Sequence, residues 1–124
     1  MVLDASAVIA LLADEPGAET VRAWLPHAVV SAVNLAEVGA KLADRGMEET
    51  NIRDAIDALG FEIAAFDEGS AYAAIRLRAP TRRFGLSLGD RACLALAVAR
   101  GLPVLTTDRD WRALDIGVEV HLAR

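Results

Sequence analysis

The stretch MVLDASAVIALLA, residues 1–13, decides the fold, because it changes from strand to helix at one acidic residue. Residues 1–3 predict a short buried strand that ends at Asp4, and residues 5–13 form an apolar segment of helical character. A buried strand that leads directly into a helix is the first half of the βαβ unit from which parallel sheets are built. The stretch therefore predicts a parallel α/β protein.

The alternation of strand and helix continues along the chain. Further strands are predicted at residues 28–31, 61–66, 103–107 and 118–122. Further helices are predicted at residues 16–25, 32–45, 48–59, 68–79 and 87–100. We therefore expect one domain over residues 1–124, with a three-layer α/β/α fold around a central, mainly parallel sheet.

The net charge leaves the class of partner open. The chain carries 18 acidic and 13 basic residues, a formal charge of −5, whereas nucleic-acid binders are commonly basic. Four of the acids are candidate metal ligands, and without them 14 acids face 13 bases, a balance of −1. Local charge therefore matters more than the total.

The composition also carries expectations about location. No apolar run reaches the length of a membrane span, and the first residues lack the basic region of a secretory signal. The single cysteine, Cys93, excludes an internal disulfide and fits a reducing compartment. We therefore expect a cytoplasmic protein that does not associate with membranes.

Four acidic residues are expected to converge at one edge of the sheet. Asp4 and Asp108 each follow a predicted strand, and Asp90 and Glu37 lie in the first two turns of helices that begin at the same edge. Carboxylates clustered at low dielectric repel one another unless protons or a hard cation neutralise them. Magnesium and manganese prefer such oxygen ligands, so the cluster predicts metal-assisted phosphodiester hydrolysis.

Each of these acids also fits an ordinary structural role. Asp4 and Asp108 stand where aspartate commonly caps a helix. Asp90 completes a capping-box pattern with the serine three positions before it. Glu37 and Lys41 have the spacing of a helical ion pair, on a face that points to solvent by its polarity. The residues alone leave both interpretations open.

Four segments together resemble a known family, the PIN-domain ribonucleases, and within it the VapC-type toxins of bacterial VapBC toxin–antitoxin pairs. They are VLDASA (2–7), NLAEV (34–38), LSLGD (86–90) and VLTTDRDW (104–111). The resemblance covers essentially the whole chain in order and spacing. It implies a PIN-like fold and an Mg²⁺- or Mn²⁺-dependent endoribonuclease of the bacterial cytoplasm.

The resemblance also implies partners and site residues. The partners are an RNA substrate, a VapB-type antitoxin whose tail covers the active groove, and a second copy of the chain in a homodimer. Ser6 and Thr107 would be the hydroxyls that support the site, and Asp110 an outer-shell acid. The catalytic and metal-binding acids would be Asp4, Glu37, Asp90 and Asp108.

Several arginines lie near these acids in the sequence. Arg82 and Arg83 belong to a loop that leads to the acidic edge, and Arg91, Arg109 and Arg112 flank the acids. They either contact RNA phosphates and offset the charge of the acidic site, or form an ordinary solvated surface. We expect Arg82 and Arg83 to bind RNA.

Two other functions use a similar fold. A receiver-like or dehalogenase-like phosphoacceptor also has an acidic pocket at this edge, but Lys41, the only lysine, is far from the late strand where a receiver requires one. The segment from Asp4 to Ser6 also lacks the second aspartate of the dehalogenase motif. A non-catalytic PIN-like binding module could lose some acids, whereas this chain retains all four.

Overall fold

The computed structural model describes all residues from Met1 to Arg124, and its centre is a parallel sheet of five strands. The strands are β1 (Val2–Leu3), β2 (Val29–Ser31), β3 (Glu62–Ala64), β4 (Val104–Thr106) and β5 (Val120–Leu122). Their order across the sheet is β3-β2-β1-β4-β5, and every neighbouring pair is parallel. The predicted α/β fold with a parallel sheet is confirmed.

Six α-helices connect and cover the strands. They are α1 (Ala5–Leu12), α2 (Ala18–Trp24), α3 (Ala32–Asp44), α4 (Glu49–Asp57), α5 (Glu68–Arg76) and α6 (Leu88–Arg100). Every predicted helix is present, although most are shorter than the sequence pattern indicated. The length and hydropathy of these helices do not suffice for any of them to cross a bilayer.

The sheet divides the core into two clusters, because successive strand residues point to opposite faces. In β1, Val2 packs in a cluster with residues of α5 and α6, whereas Leu3 packs in a cluster with residues of α1, α2 and α3. The same alternation separates Val29 from Val30 and Val104 from Leu105. These two cores are the reason for the three-layer arrangement.

The strand order creates a crevice between β1 and β4. The chain runs from β1 outward through β2 to β3, and then returns to the other side of β1 to form β4 and β5. Such a reversal is the point in a parallel sheet where ligands bind beyond the carboxyl ends of the strands. Asp4 follows β1 and Asp108 lies just beyond β4, so this topology places both at the crevice.

Gly17 gives a first test of the packing. Its φ is +98°, and a Cβ there would lie 2.6 Å from the carbonyl oxygen of Ala123, whose own N–H is bonded to Thr106 in β4. We expect Gly17→Ala to lower the free energy of unfolding by about 2–4 kcal/mol, from backbone strain and overpacking. Urea unfolding measures the loss.

Gly117→Ala is the matched control. Gly117 has a φ of +75° but no atom within 4 Å of the added Cβ. It should show only the strain of the left-handed backbone, about 1 kcal/mol. Equal losses in the two variants would contradict the proposed clash with the carboxyl-terminal segment.

Candidate active site

Asp4 is a buried acid held by two hydroxyl groups. Its side chain is only 5% exposed, and its Oδ2 accepts hydrogen bonds from Ser6 Oγ at 2.7 Å and Thr106 Oγ1 at 2.9 Å. Although Asp4 occupies the N-cap position of α1, its side chain makes no capping hydrogen bond. The capping role considered from the sequence is therefore wrong for Asp4, and the hydroxyls fix its carboxylate instead.

The second hydroxyl belongs to Thr106 and not to Thr107, which corrects the expectation. Val2 pairs with Val104 and Leu3 with Leu105, so the register sets Asp4 against Thr106, the last residue of β4. Thr107 has left the strand, and it contributes its backbone N–H, which donates to Ser6 Oγ at 3.0 Å. Counting the strand register between the two acidic segments would have identified Thr106.

The two threonines provide a matched pair of substitutions. Thr106 is fully buried, donates to Asp4 and accepts from the backbone N–H of Asp108 at 3.0 Å, so Thr106→Val removes two hydrogen bonds with little change of shape. We expect a loss of about 1–3 kcal/mol in urea unfolding. Thr107 is half-buried and its side chain makes no hydrogen bond, so Thr107→Val should stay within about 0.5 kcal/mol of wild type. Equal losses would contradict this assignment.

Two buried groups at the site have raised pKa values. Burial raises the pKa of the Asp4 carboxyl above its usual value, and the charge of Asp90 raises it further, against the lowering effect of the two hydroxyls. Burial also raises the pKa of the Cys93 thiol far above its usual value, with additions from Asp4, Asp90 and Glu37. The negative charges of three acids therefore all act on Cys93 of α6. Its thiol stays protonated, and Cys93 is a neutral core residue.

Glu37 turns toward the other acids and not toward solvent, contrary to the expectation from its helix face. Its Oε2 accepts a hydrogen bond of 2.9 Å from Asn34 Nδ2, and no ion pair with Lys41 forms. Asn34 is fully buried and also donates to the carbonyl oxygen of Gly89 at 3.0 Å, which ties α3 to α6. Asn34 and Glu37 are three residues apart on one helix, a spacing at which side chains meet.

Gly89 leaves the space that the Glu37 carboxylate occupies. A Cβ on residue 89 would lie 2.5 Å from Glu37 Oε2, which is closer than unbonded atoms can approach. Gly89 is buried in the first turn of α6, next to Asp90. Asn34 and Gly89 are therefore positioning residues. Both lie in segments that resemble the family, NLAEV (34–38) and LSLGD (86–90), but neither was expected to have a role at the site.

Asp90 and Asp108 each combine a capping role with a place at the site. Asp90 Oδ2 accepts the backbone N–H of Ser87 at 3.0 Å, and Ser87 Oγ accepts that of Asp90, which forms the predicted capping box. Asp108 Oδ1 accepts the backbone N–H of Asp110 at 3.0 Å. Each carboxylate uses one oxygen for these bonds, so capping and metal binding do not exclude each other.

The four predicted acids line one cavity of about 410 Å³. Ser6 and Lys41 also line it, whereas Asp110 lines the neighbouring cavity. No three acidic, histidine or cysteine side chains lie in an arrangement that could hold a metal ion by themselves. The structure thus brings the quartet to one open cavity without forming a complete protein ligand set.

The arginines separate into different environments. Arg83, Arg109 and Arg112 line a second cavity that also reaches Asp108, whereas Arg82 lies outside the linings of both cavities. Arg91 Nη1 donates to the carbonyl oxygen of Ala74 at 3.2 Å, so its role is to join α6 to α5. Of the two arginines expected to bind RNA, only Arg83 reaches the edge of the site.

Comparison with known proteins supports the resemblance found in the four segments. The sequence matches the PIN domain family over residues 1–117. It is 31% identical over 127 residues to the VapC ribonuclease Mb0640 of Mycobacterium bovis, covering 94% of this chain and 95% of that protein. It is 29% identical over 126 residues to ribonuclease VapC42 of Mycobacterium tuberculosis, covering 94% and 96%.

The fold has the same relatives as the sequence. One chain of a toxin–antitoxin complex from Klebsiella pneumoniae superposes with a TM-score of 0.76, covering 99% of this chain and 97% of that one. At 22% identity this likeness establishes the shared fold alone. Together with the match over residues 1–117, these findings show that the chain belongs to the PIN-domain family, as a member of the VapC type.

Proposed function

We propose that this protein is a metal-dependent endoribonuclease and the toxin of a type II toxin–antitoxin pair. The observation that carries the proposal is the buried Asp4 carboxylate, held by two hydroxyls in a cavity that Asp90, Glu37 and Asp108 also line. A buried carboxylate surrounded by like charges is unfavourable unless a cation binds it. Relatives named as ribonucleases have the same domain over nearly the whole chain.

The donor atoms of the cavity fit Mg²⁺ or Mn²⁺. The cavity offers carboxylate and hydroxyl oxygens and no histidine or cysteine side chain. Magnesium is commonly held by one or two carboxylates, with water and substrate phosphate as its other ligands, so a complete protein ligand set is not required. Asp4 and Asp90 would hold the ion, with Glu37 and Asp108 as further carboxylates of the same site.

The residues of the chain have separate parts in the proposed hydrolysis. A bound cation would supply a water of lowered pKa and would offset negative charge on the scissile phosphate. Ser6 and Thr106 hold Asp4 in place, and Asn34 holds Glu37 through Oε2. The Glu37 carboxylate, held in this way, would accept the proton of the attacking water.

Cleavage of single-stranded RNA by the purified protein tests the proposal. We expect cleavage in Mg²⁺ or Mn²⁺, none in EDTA, and a loss of at least ~100-fold in Asp90→Asn, because a cation contributes several kcal/mol to the transition state. Arg53→Ala is the control, since Arg53 is exposed and pairs only with Glu49. Cleavage that persists in EDTA or in the Asp90 variant would refute the proposal.

The partners follow from the same assignment. A VapB-type antitoxin is proposed because a similar chain occurs in a toxin–antitoxin complex. A homodimer is supported by exposed apolar side chains on α5, where Tyr72 and Ile75 are 56% and 60% exposed one helical turn apart. The cytoplasm is the proposed compartment, because RNA is present there.

A further inference from the structure

A second cavity adjoins the acidic one and is lined by arginines. Its volume is about 670 Å³, within the range of roughly 300–1,000 Å³ for sites that bind small molecules. Asp108 belongs to the linings of both cavities, so the two adjoin at this residue. A ligand that extends beyond the acidic cavity on the Asp108 side therefore enters the second one.

The arginines of this cavity have no acidic or hydrogen-bonding partner in the protein. Arg83, Arg109 and Arg112 form neither an ion pair nor a hydrogen bond through their guanidinium groups. Elsewhere in the chain Arg100 binds Glu62 through two nitrogens and Arg124 approaches Glu15. Three guanidinium groups without an ion pair line this cavity together with two aspartates, Asp108 and Asp110, so it retains positive charge beside the acids.

The cavity also has an aromatic surface suited to a base. The guanidinium carbon of Arg83 lies 4.9 Å from the centroid of the Phe84 ring. Such a pair presents a flat surface on which unpaired bases of single-stranded RNA stack, whatever their identity. Free guanidinium groups beside this surface match the phosphate that accompanies each base.

We propose that this cavity binds the nucleotide of the RNA strand that adjoins the scissile phosphate. Arg109 and Arg112 contact its phosphates, and Arg83 with Phe84 stacks on its base. The inference rests on the proposed function, because it takes the acidic cavity as the place of cleavage. It adds Arg109 and Arg112, in the turn after β4, to Arg83, and it leaves out Arg82, which lies outside both cavities.

Fluorescence anisotropy with a labelled 12-nucleotide single-stranded RNA tests the inference without cleavage, in EDTA and at several salt concentrations. Arg109→Ala/Arg112→Ala should weaken binding about 20-fold at 0.1 M salt and reduce the salt slope by about 1.4, since each phosphate contact contributes about 0.7 to the slope. Both residues are exposed, so the fold is expected to persist. Arg22→Ala/Arg53→Ala removes the same charge outside both cavities and should bind like wild type.

Two further measurements separate the possible outcomes. Hydrolysis of bis(p-nitrophenyl) phosphate in Mn²⁺ measures phosphodiester cleavage without RNA binding, and the Arg22→Ala/Arg53→Ala control should keep the wild-type rate. Hexaglutamate should not displace the RNA at equal charge concentration. RNA affinity within twofold of wild type in the Arg109/Arg112 variant, or displacement by hexaglutamate, would overturn the inference. A wild-type protein that binds RNA but does not cleave it would refute only the proposed function.

Discussion

Asp4→Asn is expected to abolish metal-dependent RNA cleavage while it raises the thermal stability of the metal-free protein. Activity should fall at least ~100-fold, because the substitution removes the buried carboxylate that anchors the cation. The asparagine side-chain oxygen can still accept from Ser6 and Thr106, so the local packing is retained. The charge removed is one that burial and Asp90 make unfavourable.

The stability gain should depend on pH in a defined direction. Because the pKa of Asp4 is raised in the folded state, the native protein binds a proton more readily than the unfolded chain does. Wild-type stability therefore falls as the pH rises from the ordinary aspartate value through the raised one. Asp4→Asn does not lose stability in this way. The variant should therefore be only slightly more stable than wild type below this pH range, and its full gain in stability should appear above it.

Thermal unfolding in EDTA at pH 4 and pH 7.5 measures the effect. We expect Asp4→Asn to melt above wild type at pH 7.5, with a smaller difference at pH 4. Excess Mg²⁺ or Mn²⁺ should stabilise the wild type and reduce or reverse the difference, because a ligand that binds the native state raises its stability. A variant that melts below wild type at pH 7.5 in EDTA would show that the charged carboxylate stabilises the fold.

Gly89→Ala should lower activity about 10- to 100-fold, the range seen when the support of a metal-site ligand is lost. The new Cβ takes the space of the Glu37 carboxylate, and the flexible end of that side chain moves more easily than the backbone. Stability should change by no more than about 1 kcal/mol. Alanine gains up to ~1 kcal/mol of helix propensity, and the lost bond between Asn34 and Glu37 offsets about as much.

A double-mutant cycle tests whether Gly89 acts through Glu37. If it does, Gly89→Ala should add little to the loss caused by Glu37→Ala, so the two effects are not additive. Gly39→Ala is the control, because its Cβ would make only an ordinary contact of 3.8 Å with Ile52. Additive losses would instead indicate that Gly89→Ala disturbs α6 as a whole.

The fold was predictable from local signals, whereas the lengths of its elements were not. The alternation of strands and helices along the chain predicted the parallel sheet. Glycine commonly ends a helix with a positive φ, and Gly101 does so directly after α6. The strand predicted at residues 61–66 is only Glu62–Ala64, because β2 offers three residues with which it can pair. Strand ends depend on such neighbours, and a single segment does not contain that information.

The site was predictable in its acids but only partly in what holds them. The placement of Asp4 and Asp108 at one edge of the sheet was predictable, because it depends only on the direction of the strands that precede them. Glu37 was placed at the site by the family resemblance, because the polarity of its own helix indicated solvent; in the structure Asn34 and Gly89 direct it into the cavity. Contacts between α3 and α6 join residues far apart in the chain, and helix periodicity does not report them.

Direct titration with Mn²⁺, followed by the electron paramagnetic resonance signal of the free ion, tests the central claim that the acidic cavity binds a divalent cation. We expect saturable binding in the wild type and in Arg109→Ala/Arg112→Ala, together with its loss in Asp4→Asn and in Asp90→Asn. Wild-type binding that survives in both aspartate variants, or no saturable binding in the wild type, would show that the acidic cavity does not bind a divalent cation.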